Sequence, residues 1–129
     1  MTHARLPVRA LLARHYALPE GPRVCLRLAR PRDRDGIREL LAARGWKLGE
    51  LEPARLVSFD VTRRLVLVAT ALIDGTEAVV GVGAIELDDH LPGEPTLVLA
   101  DEALRRGVEP LLRDALVGHT ATIARARAA

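Results

Sequence analysis

The sequence predicts an α/β domain, a sheet covered by helices, and three observations carry that prediction. Val24, Leu26 and Leu28 alternate with Cys25 and Arg27, which is the period of a strand. Ile37, Leu40 and Leu41, and later Val108, Leu111, Leu112, Ala115 and Leu116, fall at the spacing of one helical face. Between them, two apolar runs, Leu65 to Ile73 and Ala78 to Leu87, meet at the turn dipeptide Asp74-Gly75, so they predict a β-hairpin.

Taken in order, Met1 to Ala13 mixes Arg with Leu, Val and Ala, as in a short amphipathic helix or a loose arm. We assign residues 1–15 to such an arm and 16–129 to the domain. Leu18 to Pro22 is a turn, because Pro fixes φ and Gly permits a positive one. The strand after it ends at Pro31. Asp33 is placed to cap the first helix, and Gly45 stands where a C-terminal glycine cap belongs. Leu48 to Phe59 reads as a second helical stretch on Leu51, Leu56 and Phe59. In the second arm of the hairpin, Gly81 and Gly83 among β-branched residues predict a bulge or a close backbone approach. Asp88 to Pro95 is a polar loop, and Thr96 to Leu99 is a third run of strand length. The resulting order of strand, helix, helix, hairpin, strand, helix fits a mixed sheet with helices on its faces.

Composition narrows the functional classes. The chain has 129 residues, 49% of them hydrophobic, enough for one domain with one core. Aromatics make up only 2%, so stacking on nucleobases has almost no candidates, and no helix-turn-helix signal accompanies the Arg-rich start. All but one of the 19 basic residues are arginine, Lys47 being the exception, a bias expected of a GC-rich bacterial gene. Residues 1–49 are net basic, 50–102 net acidic and 103–129 net basic, so the segments are expected to compensate each other. The single Cys25 excludes an internal disulfide, and no early apolar run has the length of a signal peptide or membrane span; a cytoplasmic protein is expected.

Several short stretches carry a family resemblance: Tyr16 to Arg27, followed by Arg30-Pro31-Arg32-Asp33; Ala78-Val79-Val80-Gly81-Val82-Gly83-Ala84; and Glu94-Pro95-Thr96-Leu97-Val98-Leu99-Ala100-Asp101-Glu102-Ala103, running into Leu104-Arg105-Arg106-Gly107-Val108-Glu109. They resemble, in that order, the first strand and helix cap, the "VVGVA" strand, and the "AEFAVxVADE" strand followed by "QGRGLG" of the GNAT acetyltransferase superfamily, in particular of its bacterial protein-lysine acetyltransferases. The resemblance implies a GNAT fold and acetyl-CoA or CoA as cofactor. It further implies cofactor contacts from Val98, Leu99, Arg105, Arg106, Gly107, Val108 and Glu109, and a general base at Glu94 that takes a proton from an attacking amine.

The departures from that pattern matter as much. In the family, glycines let a helix N-terminus bring its N–H groups onto the cofactor pyrophosphate. Here only Gly107 survives of those glycines; Glu109 replaces the last of them and Pro110 follows. Glu109 is therefore expected to cap the helix and fill the anion site from within. Pro95 replaces a family aromatic, and Tyr16 is no evident substitute for the tyrosine that protonates the thiolate. The chain also stops at Ala129, where the family continues with strand, helix and strand, so Thr96 to Leu99 is expected to be an open edge that pairs in a homodimer or hetero-complex.

Two functional readings follow. One is a non-catalytic, GNAT-like module with impaired acetyl-CoA binding that engages or regulates a protein partner. The other is an acetyl-CoA-dependent N-acetyltransferase acting on protein lysine or a small amine. A third takes the chain as a piece of a longer reading frame. No metal site is expected: Asp88, Asp89 and His90 lack a second ligand cluster, and they read as a solvated loop. His3, His15 and His119 read as surface residues, and Cys25 as a small core residue.

Overall fold

The computed structural model describes residues 14–17, 23–45, 52–58, 63–86, 94–101 and 106–118. Five strands are β1 (Arg14–Ala17), β2 (Arg23–Leu28), β3 (Arg64–Ile73), β4 (Thr76–Glu86) and β5 (Thr96–Leu99). They form one sheet in the order β1-β2-β3-β4-β5, with antiparallel pairing throughout. Helix α1 (Arg34–Ala43) follows a single 3-10 turn at Pro31–Asp33; α2 (Pro53–Leu56) is one turn long, and α3 covers residues 106–118. The α/β class expected from the sequence is thus the class observed, and β1 is a strand that the sequence pattern did not announce.

The sheet separates two apolar layers. On one side Ile37, Leu40 and Leu41 of α1, with Leu56 and Val57, pack on Val66, Val68, Val82 and Val98. On the other, Val108, Leu112 and Leu116 of α3 pack on Val24, Leu26, Leu65, Leu67, Ala69, Ile85 and Leu99. β3 is covered on both faces, which explains why its sequence is an unbroken apolar run instead of an alternating one. All three anchors of α3 are fully buried, at the helical spacing predicted.

The β3–β4 hairpin turns at Asp74 (φ 52°) and Gly75 (φ 79°), a two-residue loop with both residues left-handed. Such a turn matches the twist of the strands, and Asp-Gly is one of the few dipeptides that tolerate it. Gly45, at φ 77°, closes α1 as expected. Register shifts by one residue between Ala69 and Thr70, which leaves Val80 as the extra residue of a β-bulge in β4. The close approach predicted for the neighbouring glycines is also there. A Cβ on Gly83 would stand 2.8 Å from Leu97 and 2.9 Å from Leu116, so α3 and β5 both sit tightly against the bare backbone of β4.

Two expectations need correction. The helical stretch placed at Leu48 to Phe59 is a single turn where it is described: Glu52 is extended, and Pro53 starts the helix because its missing N–H costs nothing at that position. Glu109 does not cap α3. Residues 106–109 are already helical, because burying Val108 in the core draws this turn of helix onto the sheet. The expectations for Met1 to Ala13, Leu18 to Pro22, Leu51, Phe59 and residues 87–93 fall outside the described residues.

Leu112 reaches both Gly81 and Gly83 from the middle of α3. Leu112→Ala is expected to cost about 2–5 kcal/mol of unfolding free energy, read from urea denaturation, since the sheet cannot collapse into the cavity left behind.

Candidate functional site

β5 carries the first candidate site along the edge that faces away from β4. A cavity of about 350 Å³ there is lined by Arg44, Pro95, Leu97, Val98, Leu99, Asp101, Glu109 and Arg113. Three elements make it: the C-terminal end of α1 supplies Arg44, the strand supplies its wall, and α3 supplies Glu109 and Arg113. Because Glu109 and Arg113 are four residues apart on a helix, they face the same way, and Arg113 Nη2 donates to Glu109 Oε1 at 3.5 Å. Arg113 also stands 3.7 Å from Glu94, whose side chain is 94% exposed.

The cavity brings together Val98, Leu99 and Glu109 of the residues for which cofactor contact was expected, and Glu94 lies beside it through Arg113. Val98 and Leu99 send their side chains to opposite faces of the sheet, into the two cores, so they offer the cavity only a strand edge. Arg106 is exposed, Gly107 lies within the helix and Val108 is turned fully into the core; Arg105 lies outside the described residues. Arg44 and Arg113 had not been singled out from the sequence, and Asp101 had been read as ending a strand before a helix, which is where it stands after β5. Only the Glu109/Arg113 spacing could have signalled either arginine.

A second cluster was not anticipated at all. Arg27 of β2 and Asp33, each with about 5% of its side chain exposed, form a two-pronged ion pair: Nη1 to Oδ2 and Nη2 to Oδ1, both 2.8 Å. Arg30 N–H donates to Asp33 Oδ2 at 2.7 Å. Arg27 Nη2 also donates to Glu77 of β4 at 3.2 Å, and the Thr70 hydroxyl of β3 donates to the other Glu77 oxygen at 3.0 Å. Arg32 lies 3.7 Å from Glu77. The Asp33 carboxylate thus serves Arg27 and the turn before α1 instead of capping α1 itself, and no side-chain cap bond forms there. These contacts also realise the expected compensation between a basic early segment and an acidic later one. Next to the cluster lies an open cleft of about 540 Å³ between α1 and β4, lined by Arg32, Gly36, Glu39, Glu77 and Val79 among others.

Charge and burial compete at this cluster. Burial alone would raise the Asp33 carboxyl, but hydrogen bonds from Arg27 and the Arg30 N–H, with the charges of Arg27 and Arg32, hold it below its ordinary value of 3.8. Glu77 behaves in the same way: burial raises it, and Thr70, Arg27 and Arg32 together bring it below its ordinary 4.5. Arg27 is raised, chiefly by its hydrogen bond to Asp33, and remains charged at any working pH. Burial pushes the thiol of neighbouring Cys25 up, which makes it less reactive.

No metal-binding group of three His, Cys, Asp or Glu side chains occurs among the described residues, and Asp88, Asp89 and His90 lie outside them. His15 is exposed in β1. No described helix is long and apolar enough to cross a membrane.

Comparison with solved structures identifies the architecture. The GNAT domain of S. lividans PAT superposes with a TM-score of 0.60 at 18% identity, over 89% of this chain and 73% of that one. A mutant form of a cAMP-binding acyltransferase from Mycobacterium smegmatis superposes with a TM-score of 0.57 at 19% identity; the alignment covers 95% of this chain and 40% of that protein. No protein-family model matches the sequence. No curated protein matches it either. The chain therefore has a GNAT-like acyltransferase fold, as the sequence resemblance implied.

The buried ion pair makes a pH prediction whose sign is fixed. Asp33 and Glu77 are depressed in the folded state, so their contribution is complete above the ordinary carboxylate values and is lost as pH falls through the folded ones. Unfolding free energy is expected to fall as pH drops below about 4, and to fall less steeply in Asp33→Asn. At pH 7 that variant is expected to be less stable by about 3–5 kcal/mol, because Arg27 stays charged and buried without its partner. Replacing both, Arg27→Met with Asp33→Leu, is expected to restore much of the loss; chemical denaturation across pH measures all three.

Proposed function

We propose that this chain is a non-catalytic GNAT-fold module that binds a protein partner and has impaired affinity for acetyl-CoA. The observation that carries the reading is the placement of Asp101 and Glu109 in the cavity along β5, beside the first described turn of α3. A helix start favours anions because its N–H groups point outward and its dipole is positive there. A carboxylate fixed close to it opposes a pyrophosphate at the same place. Arg113, the basic side chain that reaches the cavity from α3, is already engaged by Glu109 and Glu94. Of the family's phosphate-cradling glycines, only Gly107 remains, and it stands inside the helix.

A second reading, an acetyl-CoA-dependent N-acetyltransferase, draws on one observation: the Glu94 side chain is 94% exposed and lies 3.7 Å from Arg113, which lines the cavity. In that reaction the Glu94 carboxylate accepts a proton from an acceptor amine. The amine nitrogen then forms a bond to the thioester carbonyl carbon, and the carbon–sulfur bond breaks to release CoA as its thiolate. Both the fold and the solved acyltransferases of this shape are compatible with that chemistry.

Calorimetric titration with acetyl-CoA separates the two readings. The natural protein is expected to give no binding heat. Glu109→Gln, which keeps the size and removes the charge, is expected to gain affinity about fivefold or more, the equivalent of about 1 kcal/mol of relieved repulsion at a helix start. Tight binding by the natural protein, together with acetyl transfer that disappears in Glu94→Gln, would establish the enzyme instead.

A further inference from the structure

We infer that the partner at β5 is a second copy of this chain, joined strand to strand about a two-fold axis at Val98. The inference rests on the partner-binding reading above and names the partner. It starts from which backbone groups β5 leaves over. Ala100 N–H donates to Val80 C=O at 2.9 Å, so the backbone groups of Ala100 point toward β4. Successive residues of a strand alternate in this direction, so Val98 and Thr96 also point to β4, in keeping with their register opposite Val82 and Ala84. The N–H and C=O groups of Leu97 and Leu99 therefore point to the other edge, where no described strand pairs with them. Pro95 has the same outward parity, so its missing N–H weakens nothing in the β4–β5 ladder.

This pattern is its own complement. An antiparallel copy centred on Val98 places Leu97 opposite Leu99 of the second copy, and Leu99 opposite its Leu97. Each pair exchanges two N–H···O bonds, four in all, and every outward group between Leu97 and Leu99 is used. Val98 meets Val98 of the second copy in a close, non-hydrogen-bonded position, a favourable site for β-branched side chains. Leu97, half-buried in a single copy, gains cover from the second copy's Leu99. The charges agree with a self-partner. The cavity holds two arginines, Arg44 and Arg113, and two acids, Asp101 and Glu109, so its balance selects neither a basic nor an acidic stranger. Antiparallel pairing also carries Asp101 of each copy to the Pro95 end of the other, where Arg113 is still 44% exposed. The edge itself has none of the usual protections within Thr96–Leu99: no lysine, no proline, no bulge.

Sedimentation velocity over a wide concentration range, with amide hydrogen exchange on the same samples, tests the inference on the full chain. The expected result is a monomer–dimer equilibrium in which the amides of Leu97 and Leu99 are protected at high concentration and exposed on dilution. Leu97→Pro removes one outward N–H per copy and leaves the ladder to β4 intact. It is expected to weaken dimerisation by about tenfold or more while the far-UV circular dichroism is kept. Should that variant fail to fold, the concentration dependence of exchange in the natural protein still decides. A monomer at all concentrations would overturn the inference. So would a dimer with exposed Leu97 and Leu99 amides, or protection that persists unchanged on dilution, the sign that the chain's own residues cover the edge. The acetyl-CoA titration is independent of these readouts, so failure of the dimer and failure of the impaired-binding reading are told apart.

Discussion

The ion pair between Arg27 and Asp33 is the constraint around which the α1 half of the molecule is arranged. It joins the C-terminal end of β2 to the turn that launches α1, and through Glu77 and Thr70 it reaches β4 and β3. Two charges taken out of water cost several kcal/mol each, so even good geometry returns little net stability. What the pair supplies is position. With both guanidinium prongs and the Arg30 amide aimed at one carboxylate, α1 can start from one place only. From there it runs across β4 so closely that Gly36 leaves just 2.9 Å between an added Cβ and Val79.

The opposite layer is fixed by different physics. Among the described residues no buried charge belongs to α3; three fully buried side chains and the bare backbone of two glycines in β4 seat it. The cavity along β5 is a product of both layers. α1 ends beside it at Arg44, and α3 passes it with Glu109 and Arg113. A strand with a helix on each side and nothing described at its edge is a natural place for something extended to bind, whether a cofactor or another strand. The side chains that the sequence puts there, two acids facing two arginines, suit a polypeptide better than a polyphosphate.

How much of this was legible depended on how local the physics is. The hairpin was readable because Asp74-Gly75 is a local signal for a left-handed turn, and the α3 stripe because helical spacing is a local pattern. The end of α1 was readable for the same reason at Gly45. The glycines of β4 announced a close approach without saying which neighbour would approach. Arg27 was not legible as a buried residue. Alternation with Val24 and Leu26 marks it as belonging to the other face of β2, and nothing nearby says that this face is covered too. Its partner Glu77 is fifty residues away. Asp33 looked like a helix cap because the cap position and the Arg27 partner position coincide, and the longer-range bond won. Glu109 was misread as a cap because Pro110 suggests a helix start, whereas burial of Val108 requires the helix to be under way already.

The bulge at Val80 has a consequence for how this chain tolerates change in length. Val80 and Gly81 both belong to the α3 side of the sheet, so the in–out alternation of β4 reverses between Val79 and Val82. Only that reversal lets Glu77 meet Arg27 on the same side on which Val82 lines the α1 core. Deleting Val80 would leave every other residue of the hairpin in place by composition and yet swing the Glu77 carboxylate to the wrong surface. In this stretch, therefore, the number of residues is as much a part of the specification as their identity, and an indel there should be harder to accommodate than almost any single replacement.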